Sequence, residues 1–234
     1  MHDRNPVPAS EETLAVAGVE LLADSSGALF WPEERLLAVA DLHFEKGSSF
    51  AERRVLLPPY DTAVTVARLT QLIARYAPRV VVALGDSFHD PRGPSRLNAA
   101  DRDSIKALQC RRDWIWIAGN HDPEPADNIG GRFIASFGLG SLTFRHLPED
   151  GAEGEIAGHL HPVARVAWRG RAVSRRCFVC DGKRAVMPAF GAYAGGLNVR
   201  DRAFAAVFET LSFTAHMLGE RRIYAVAARQ CLPD

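Results

Sequence analysis

Three short apolar runs in the first half of the chain each end in a cluster of Asp, Asn and His. Residues 35–40 (RLLAVA) lead into Asp41-Leu42-His43, and residues 79–84 (RVVVAL) into Gly85-Asp86-Ser87-Phe88-His89-Asp90. Residues 113–118 (DWIWIA) lead into Gly119-Asn120-His121-Asp122, and a fourth element, Gly158-His159-Leu160-His161, follows later. Six of the eight histidines, His43, His89, His121, His146, His159 and His161, lie in or beside these clusters, which concentrates imidazole where carboxylate and amide oxygen are also present. In an extended segment alternate side chains share a side, so Asp-x-His and His-x-His could each grip one ion or two adjacent ones. An oxygen and imidazole set without cysteine suits Mn²⁺, Fe²⁺ or Zn²⁺ better than Ca²⁺ or a thiolate zinc site. Two such ions, roughly 3.5–4 Å apart, need a bridging ligand and can polarise a phosphate while activating water. Asp86, central in the series, is the natural bridge. Taken singly each element is weak: an Asp after a strand is more often a cap or turn residue, and a lone His-x-His is usually a solvated or core pair. The four together, in order and three of them at strand ends, carry the argument.

The apolar runs read as buried strands, and in open α/β sheets ligand sites lie beyond the carboxyl ends of strands. Upstream, residues 14–22 and 28–31 flank Asp24-Ser25-Ser26-Gly27, read as a turn between two strands. From Phe44 to Pro59 the pattern breaks, and Gly47 with Pro58-Pro59 predicts a long loop carrying Lys46, Arg53 and Arg54. These cations could meet phosphates flanking a scissile bond or pair locally with Glu45 and Glu52. Residues 61–77 predict a helix with Asp61 or Thr62 as N-cap and Pro78 as its stop. A second helix is expected near residues 95–109. The second half predicts short strands at 141–145, 155–157, 164–168, 177–179, 185–187, 204–208 and 223–227. Gly170, Asp181-Gly182 and Gly195-Gly196 mark turns, and the whole reads as β-meanders forming a second sheet packed on the first. No repeat or linker divides the chain, so one domain over residues 1–234 is expected.

A chain of 234 residues, 47% hydrophobic and 24% charged, can bury its own core without staples, so any metals would serve chemistry. With 28 basic and 28 acidic residues the formal charge is zero, which argues against a basic coat for nucleic acid while leaving room for a local patch. Cys110, Cys177, Cys180 and Cys231 do not suggest a disulfide framework in a chain of this length, and Cys177-x-x-Cys180 without a second pair reads as ordinary thiols on a strand. Residues 1–13 are polar with two prolines, and no apolar run approaches the roughly 20 residues of a membrane helix; a cytoplasmic location is expected, with no membrane partner.

The ordered motifs Asp41-Leu42-His43, Gly85-Asp86, Gly119-Asn120-His121-Asp122 and Gly158-His159-Leu160-His161, spanning roughly residues 36–162, resemble those of the calcineurin-like metallophosphoesterase superfamily. The resemblance implies an α/β fold, a four-layer α/β/β/α sandwich of two mixed sheets. It implies two divalent ions, Mn²⁺ first and Fe²⁺ or Zn²⁺ as alternatives. Asp41, His43, Asp86 and His161 would hold one; Asp86 would bridge to a second held by Asn120, His146 and His159. His121 would donate to the phosphate or leaving oxygen, oriented by Asp122. Where many members continue Gly-Asp-x-x-Asp, this chain has His89 followed by Asp90; these read as support behind the ligands, not as ligands.

A narrower resemblance rests on residues 41–49 (DLHFEKGSS), 84–90 (LGDSFHD), 158–162 (GHLHP) and 188–193 (PAFGAY). These are similar to the bacterial ligase-associated metallophosphoesterase family, PdeM. That resemblance implies a phosphodiester substrate, DNA, an endonuclease role in repair, and association with a DNA ligase and a helicase. It also leans Phe190–Gly196, with Tyr193, towards the rim of a substrate site. The residues alone leave open a small-nucleotide or pyrophosphate hydrolase, and a non-catalytic metal-binding scaffold.

Overall fold

The structure, a computed structural model, describes residues 10–58, 60–126, 128–209 and 211–234. Most of the polar first segment, residues 1–9, and Pro59 of the proline pair lie outside the described residues. The three apolar runs form β4 (Leu36–Val39), β5 (Val80–Ala83) and β6 (Asp113–Ile117), which pair in parallel. All four residues of β4 are buried, as continuous apolar runs must be in a sheet covered on both faces. Leu36 and Ala38 point into one core, Leu37 and Val39 into another; Ile115 and Ile117 alternate with Trp114 and Trp116 in the same way.

The sheet extends antiparallel through β3 (Leu29–Trp31), β2 (Val19–Asp24) and β1 (Glu11–Val16), and in parallel to β7 (Arg132–Ile134) on the other side. Residues 14–22, expected to lie on one strand, instead fold back at Ala17-Gly18. Both have positive φ (48° and 81°), the requirement of a two-residue hairpin turn that follows the strand twist.

Helix α2 (Asp61–Tyr76) covers the outer face with Val66, Leu69, Leu72 and Ile73, beside α4 (Ala99–Leu108) with Ile105 and Leu108. Neither Asp61 nor Thr62 caps α2. Asp61 Oδ2 accepts from Gly47 N at 3.1 Å, and Thr62 Oγ1 accepts from Glu45 N and donates to Glu45 Oε1, both at 3.0 Å. Both side chains hold the segment before the helix, so Tyr60 becomes the N-cap. That segment is not a loop throughout: α1 (Lys46–Glu52) occupies its start. A Cβ at Gly47 would lie 2.8 Å from Asp61 Oδ1, so the glycine serves close packing against α2 rather than ending structure. The expected helix near 95–109 is two, α3 (Gly93–Arg96) and α4, divided at Asn98, whose side chain accepts from Asp101 N as an N-cap.

The second sheet runs β14-β11-β12-β13-β10-β9-β8: Leu197–Asn198, Pro162–Trp168, Arg171–Cys180, Arg184–Val186, Glu155–Ala157, Leu142–Arg145 and Ser136–Leu139. β15 (Thr214–Leu218) pairs with β12, and β16 (Ile223–Ala227) with β15. It is not a meander, because β10 is parallel to both β9 and β13; the chain crosses over rather than folding back there. Residues 204–208 are not a strand either. Asp201 caps α5 (Arg202–Ala205), and Phe204 and Phe208 are buried four residues apart, a helical spacing rather than an alternation. Phe144, Ile156, Phe178 and Met187 meet the first sheet between the layers, while Val179, Val186, Ala215 and Met217 pack outward against Val199, Phe204, Phe208 and Phe213. The expected four layers are present, the last a thin one of α5 and coil. Among the described residues no helix is long and apolar enough to cross a membrane.

Candidate metal centre

The carboxyl ends of β4, β5 and β6 meet those of β9 and β10, and a bridge between Ala40 and Ala189 ties the sheets together there. Phe190 N donates to Ala40 O at 2.8 Å and Gly191 N to Asp41 O at 3.1 Å. The candidate ligands gather at this junction in two groups, Asp41, His43, His161 and Asp86, His146, His159, with the donor atoms of each group within 4.8 Å of one another.

In the first group His43 Nε2 faces His161 Nε2 at 3.3 Å, and Asp41 Oδ1 lies 3.3 Å from the same His161 nitrogen. In the second, His146 Nε2 is 3.4 Å from Asp86 Oδ1, 3.2 Å from His159 Nδ1 and 2.8 Å from Asn120 Oδ1. Asn120 Oδ1 thus lies beside the second group. Asp41, His43, Asp86 and His146 are all buried.

The donor set fits divalent ions. Imidazole nitrogens turned towards each other need a proton or a cation between them, and in each facing pair one ring, His43 or His159, resists protonation. Burial, then the neighbouring His161 and Lys46, press His43 down to about 2; burial and His146 lower His159. Burial acts in the same direction on His161, but the hydrogen bond and charge of Asp41 outweigh it and raise the ring. His146 Nδ1 donates to Leu84 O at 3.0 Å, which fixes the tautomer and leaves Nε2 as a lone-pair donor.

The extended-segment reading of Asp-x-His and His-x-His does not hold. Asp41, His43, His159 and His161 have φ of 54°, 45°, 68° and 46°, and Asp86 has 45°. Left-handed residues turn the chain at each step, so His159 and His161 are delivered to different groups instead of one side. Such strain persists only where the surroundings impose it, and it collects at functional sites.

His121 stands at the rim, its side chain 42% exposed, with Nε2 3.8 Å from Asp86 Oδ2. Its Nδ1 donates to His89 O at 2.8 Å. The expected orienter, Asp122, is turned elsewhere: its Oδ2 accepts from Phe88 N at 3.0 Å, which fixes the turn carrying Asp86 and His89. Burial drives Asp122 up to about 7 against those backbone donors. His89 stacks on His121 (ring centroids 5.5 Å apart, 20° between planes) and meets His43 edge-on. Burial, then Lys46, lowers it to about 4. Asp90 chelates Arg96 at 2.8 and 3.0 Å, and Arg96 Nε donates to Ser48 Oγ, so α1 is tied to α3 beside the centre. Lys46 Nζ donates to Tyr193 O at 2.9 Å and so holds the 190–196 segment. Neither Glu45 nor Glu52 pairs with Lys46, Arg53 or Arg54; Glu52 pairs with Arg92 and Arg96.

Three features escaped sequence reasoning: the two backbone carbonyls that fix His121 and His146, and the space demanded at the motif glycines. A Cβ at Gly119 would lie 2.1 Å from Asp86 N, and one at Gly85 2.5 Å from the His146 ring. The glycines immediately before Asp86, Asn120 and His159 were the available signal.

The model of the calcineurin-like phosphoesterase family matches residues 34–169. No curated protein matches the sequence. Among solved structures, the Pseudomonas putida nuclease MPE is similar at a TM-score of 0.71 and 24% identity, covering 92% of this chain and 100% of that one. YfcE, a phosphoesterase from E. coli, gives a TM-score of 0.43 at 17% identity over 82% of this chain and 98% of its own. With a family match over more than half its length that spans both groups of candidate ligands, the chain belongs to the calcineurin-like phosphoesterase family and is a metal-dependent phosphoesterase.

Proposed function

We propose that this phosphoesterase cleaves phosphodiester bonds in DNA, as an endonuclease in repair. In this reading Asp41, His43, Asp86 and His161 hold one divalent ion, and Asp86, Asn120, His146 and His159 a second. The observation that carries it is the adjacency of the two groups at one sheet junction: His146 Nε2 lies 3.4 Å from Asp86 Oδ1 and its Nδ1 3.7 Å from Asp41 Oδ1, which is itself 3.3 Å from His161 Nε2. Mn²⁺ is the first expected ion, with Fe²⁺ or Zn²⁺ as alternatives, because a mixed oxygen and imidazole set without sulfur serves all three. When bound, the ions would neutralise phosphate oxygens and bring the pKa of water near neutrality.

The side chains supply the rest. His121, with Nδ1–H donated to His89 O, presents Nε2 to the leaving oxygen; the doubly protonated ring would pass the Nε2 proton there and end as the neutral Nδ1–H tautomer. Asp122 acts as a positioning residue through Phe88 N, not on the His121 ring. His89 walls the site between His43 and His121. DNA is favoured by the similarity of residues 41–49 and 188–193 to the ligase-associated group, and by the nuclease description of the Pseudomonas putida neighbour. Association with a ligase and a helicase belongs to the same proposal.

The test is Mn²⁺-dependent hydrolysis of bis(p-nitrophenyl) phosphate beside the monoester, with Asp86→Ala and His121→Ala. Diester turnover that collapses in both variants supports the reading; no turnover with Mn²⁺, Fe²⁺ or Zn²⁺ overturns it. Nicking of circular DNA then separates a nuclease from a small-nucleotide hydrolase.

A further inference from the structure

The hairpin β11–β12 leaves the metal centre directly, since β11 begins at Pro162, the residue after His161. Residues 162–176 carry five arginines and no acid, in a chain whose formal charge is zero. Three of the five donate to backbone carbonyls, Arg165 to Pro233 O, Arg176 to Ala189 O and Arg175 to the adjacent Ser174 O. Arg169, Arg171 and Arg175 are exposed, and among the described residues none of these three meets a carboxylate. Trp168 is 63% exposed, with the Arg169 guanidinium 5.6 Å from its ring centroid. The register pairs Trp168 with Arg171 and Ala164 with Arg175. Directly opposed residues of an antiparallel pair share a face, so Trp168, Arg171 and Arg175 line one side of the hairpin. Local burial explains none of this, because a tryptophan left in water and three unopposed cations lower no folding energy.

We propose that this hairpin binds the substrate strand beyond the scissile phosphate, with Trp168 stacking on an unpaired base and Arg169, Arg171 and Arg175 meeting its phosphates. The inference rests on the DNA-cleaving reading above. Every base has a π face, so an exposed indole flanked by guanidiniums suits single-stranded nucleic acid without regard to sequence; a base within a duplex offers no free face. Trp168 lies about 23 Å along the strand from His161 at the rise of an antiparallel strand. A small diester therefore does not reach it, whereas an oligonucleotide does.

The experiment uses the Mn²⁺-loaded full chain and three variants, Trp168→Ala, Trp168→Phe and Arg169→Ala/Arg171→Ala. It compares turnover of bis(p-nitrophenyl) phosphate with cleavage of a 20-nucleotide single strand. We expect unchanged turnover of the small diester. For the single strand, KM should rise about tenfold in Trp168→Ala and stay near wild type in Trp168→Phe. Loss of the two arginines should flatten the salt dependence of strand binding by about 1.4 in log–log slope. Normal KM for the strand in both the alanine variants, with the diester still cleaved, overturns the hairpin assignment and leaves the phosphodiesterase reading intact. An equal loss for a duplex of the same sequence overturns the stacking role. If the wild type cleaves neither substrate, that reading has failed, and anisotropy of the labelled strand on the same variants still decides the hairpin: unchanged affinity overturns it.

Discussion

Gly119→Ala tests the packing of the metal centre with a single added methyl. The new Cβ would lie 2.1 Å from Asp86 N, 2.3 Å from Asp86 Oδ1 and 2.5 Å from Asp122 Oδ1. None of these atoms is the free end of a flexible chain. Asp86 Oδ1 accepts from His121 N at 2.9 Å, and Asp122 is held by Phe88 N. Relaxing 2.1 Å to an ordinary 3.4 Å contact means moving a backbone atom of Asp86 by about 1.3 Å. Misplacing a reacting group by about 1 Å can cost ~10²-fold in rate, so turnover should fall about a hundredfold. Overpacking should also cost roughly 1–3 kcal/mol of stability. The opposing effect of Ala on unfolded-chain entropy is below about 1 kcal/mol and does not reverse the sign. The assay is Mn²⁺-dependent diester turnover beside urea unfolding, with Gly138→Ala as control because nothing lies within 4 Å of its Cβ. A Gly119→Ala protein retaining turnover within threefold of wild type would refute the close approach of the β5 and β6 ends.

Three further outcomes follow from the same geometry. Chelation should abolish turnover and Mn²⁺ restore it; at 100 times its Kd one ion adds about 2.7 kcal/mol, a rise in Tm of roughly 5–10 °C that Asp86→Ala should lose. Arg96→Ala should cost about 1–2 kcal/mol through the charge-assisted bonds to Asp90. Those bonds hold Asp90 well below the usual carboxylate range. A depressed folded pKa stabilises above the unfolded value of about 3.9 and ceases to as pH falls through the folded one. The gap between wild type and Arg96→Ala in urea melts should therefore stay constant from pH 8 to 5 and shrink only below about pH 4. Ala77→Gly should stabilise the chain by about 0.5–1 kcal/mol, because Ala77 ends α2 in the left-handed region at φ 43°; a loss of stability in the same melt would argue against that cap.

Sequence reasoning found β4, β5 and β6 because each is buried on both faces, and such strands must be unbroken apolar runs. The same logic pointed to their carboxyl ends, where seven candidate ligands and His121 do converge. It failed where a distant residue decides the local structure. Asp61 and Thr62 have the chemistry of N-caps, yet Gly47 N and Glu45 claim their side chains, and the segment those contacts organise became a helix rather than a loop. Ala17-Gly18 turns a run that looked like one strand, since a two-residue turn adds too little polarity to interrupt it. Residues 204–208 read as a strand, whereas the Asp201 cap and the spacing of four between Phe204 and Phe208 favour a helical turn.

The backbone of the candidate ligands shows how residues that meet in space were found through partly wrong geometry. Period-two alternation gave a reason for Asp41 to act with His43 and for His159 to act with His161. The first pair does share a group, but through two left-handed residues; the second pair is split by the same conformation. Residue type and order survive this change because they set the donors available. The division of donors between the two groups depends on backbone turns that only packed surroundings can hold, such as His159 N on the buried Asp41 carboxylate at 3.1 Å. Such contacts join residues 118 positions apart, so no local pattern encodes them. Displacing the junction without replacing a candidate ligand should therefore impair the centre, which is the physical content of the Gly119→Ala experiment.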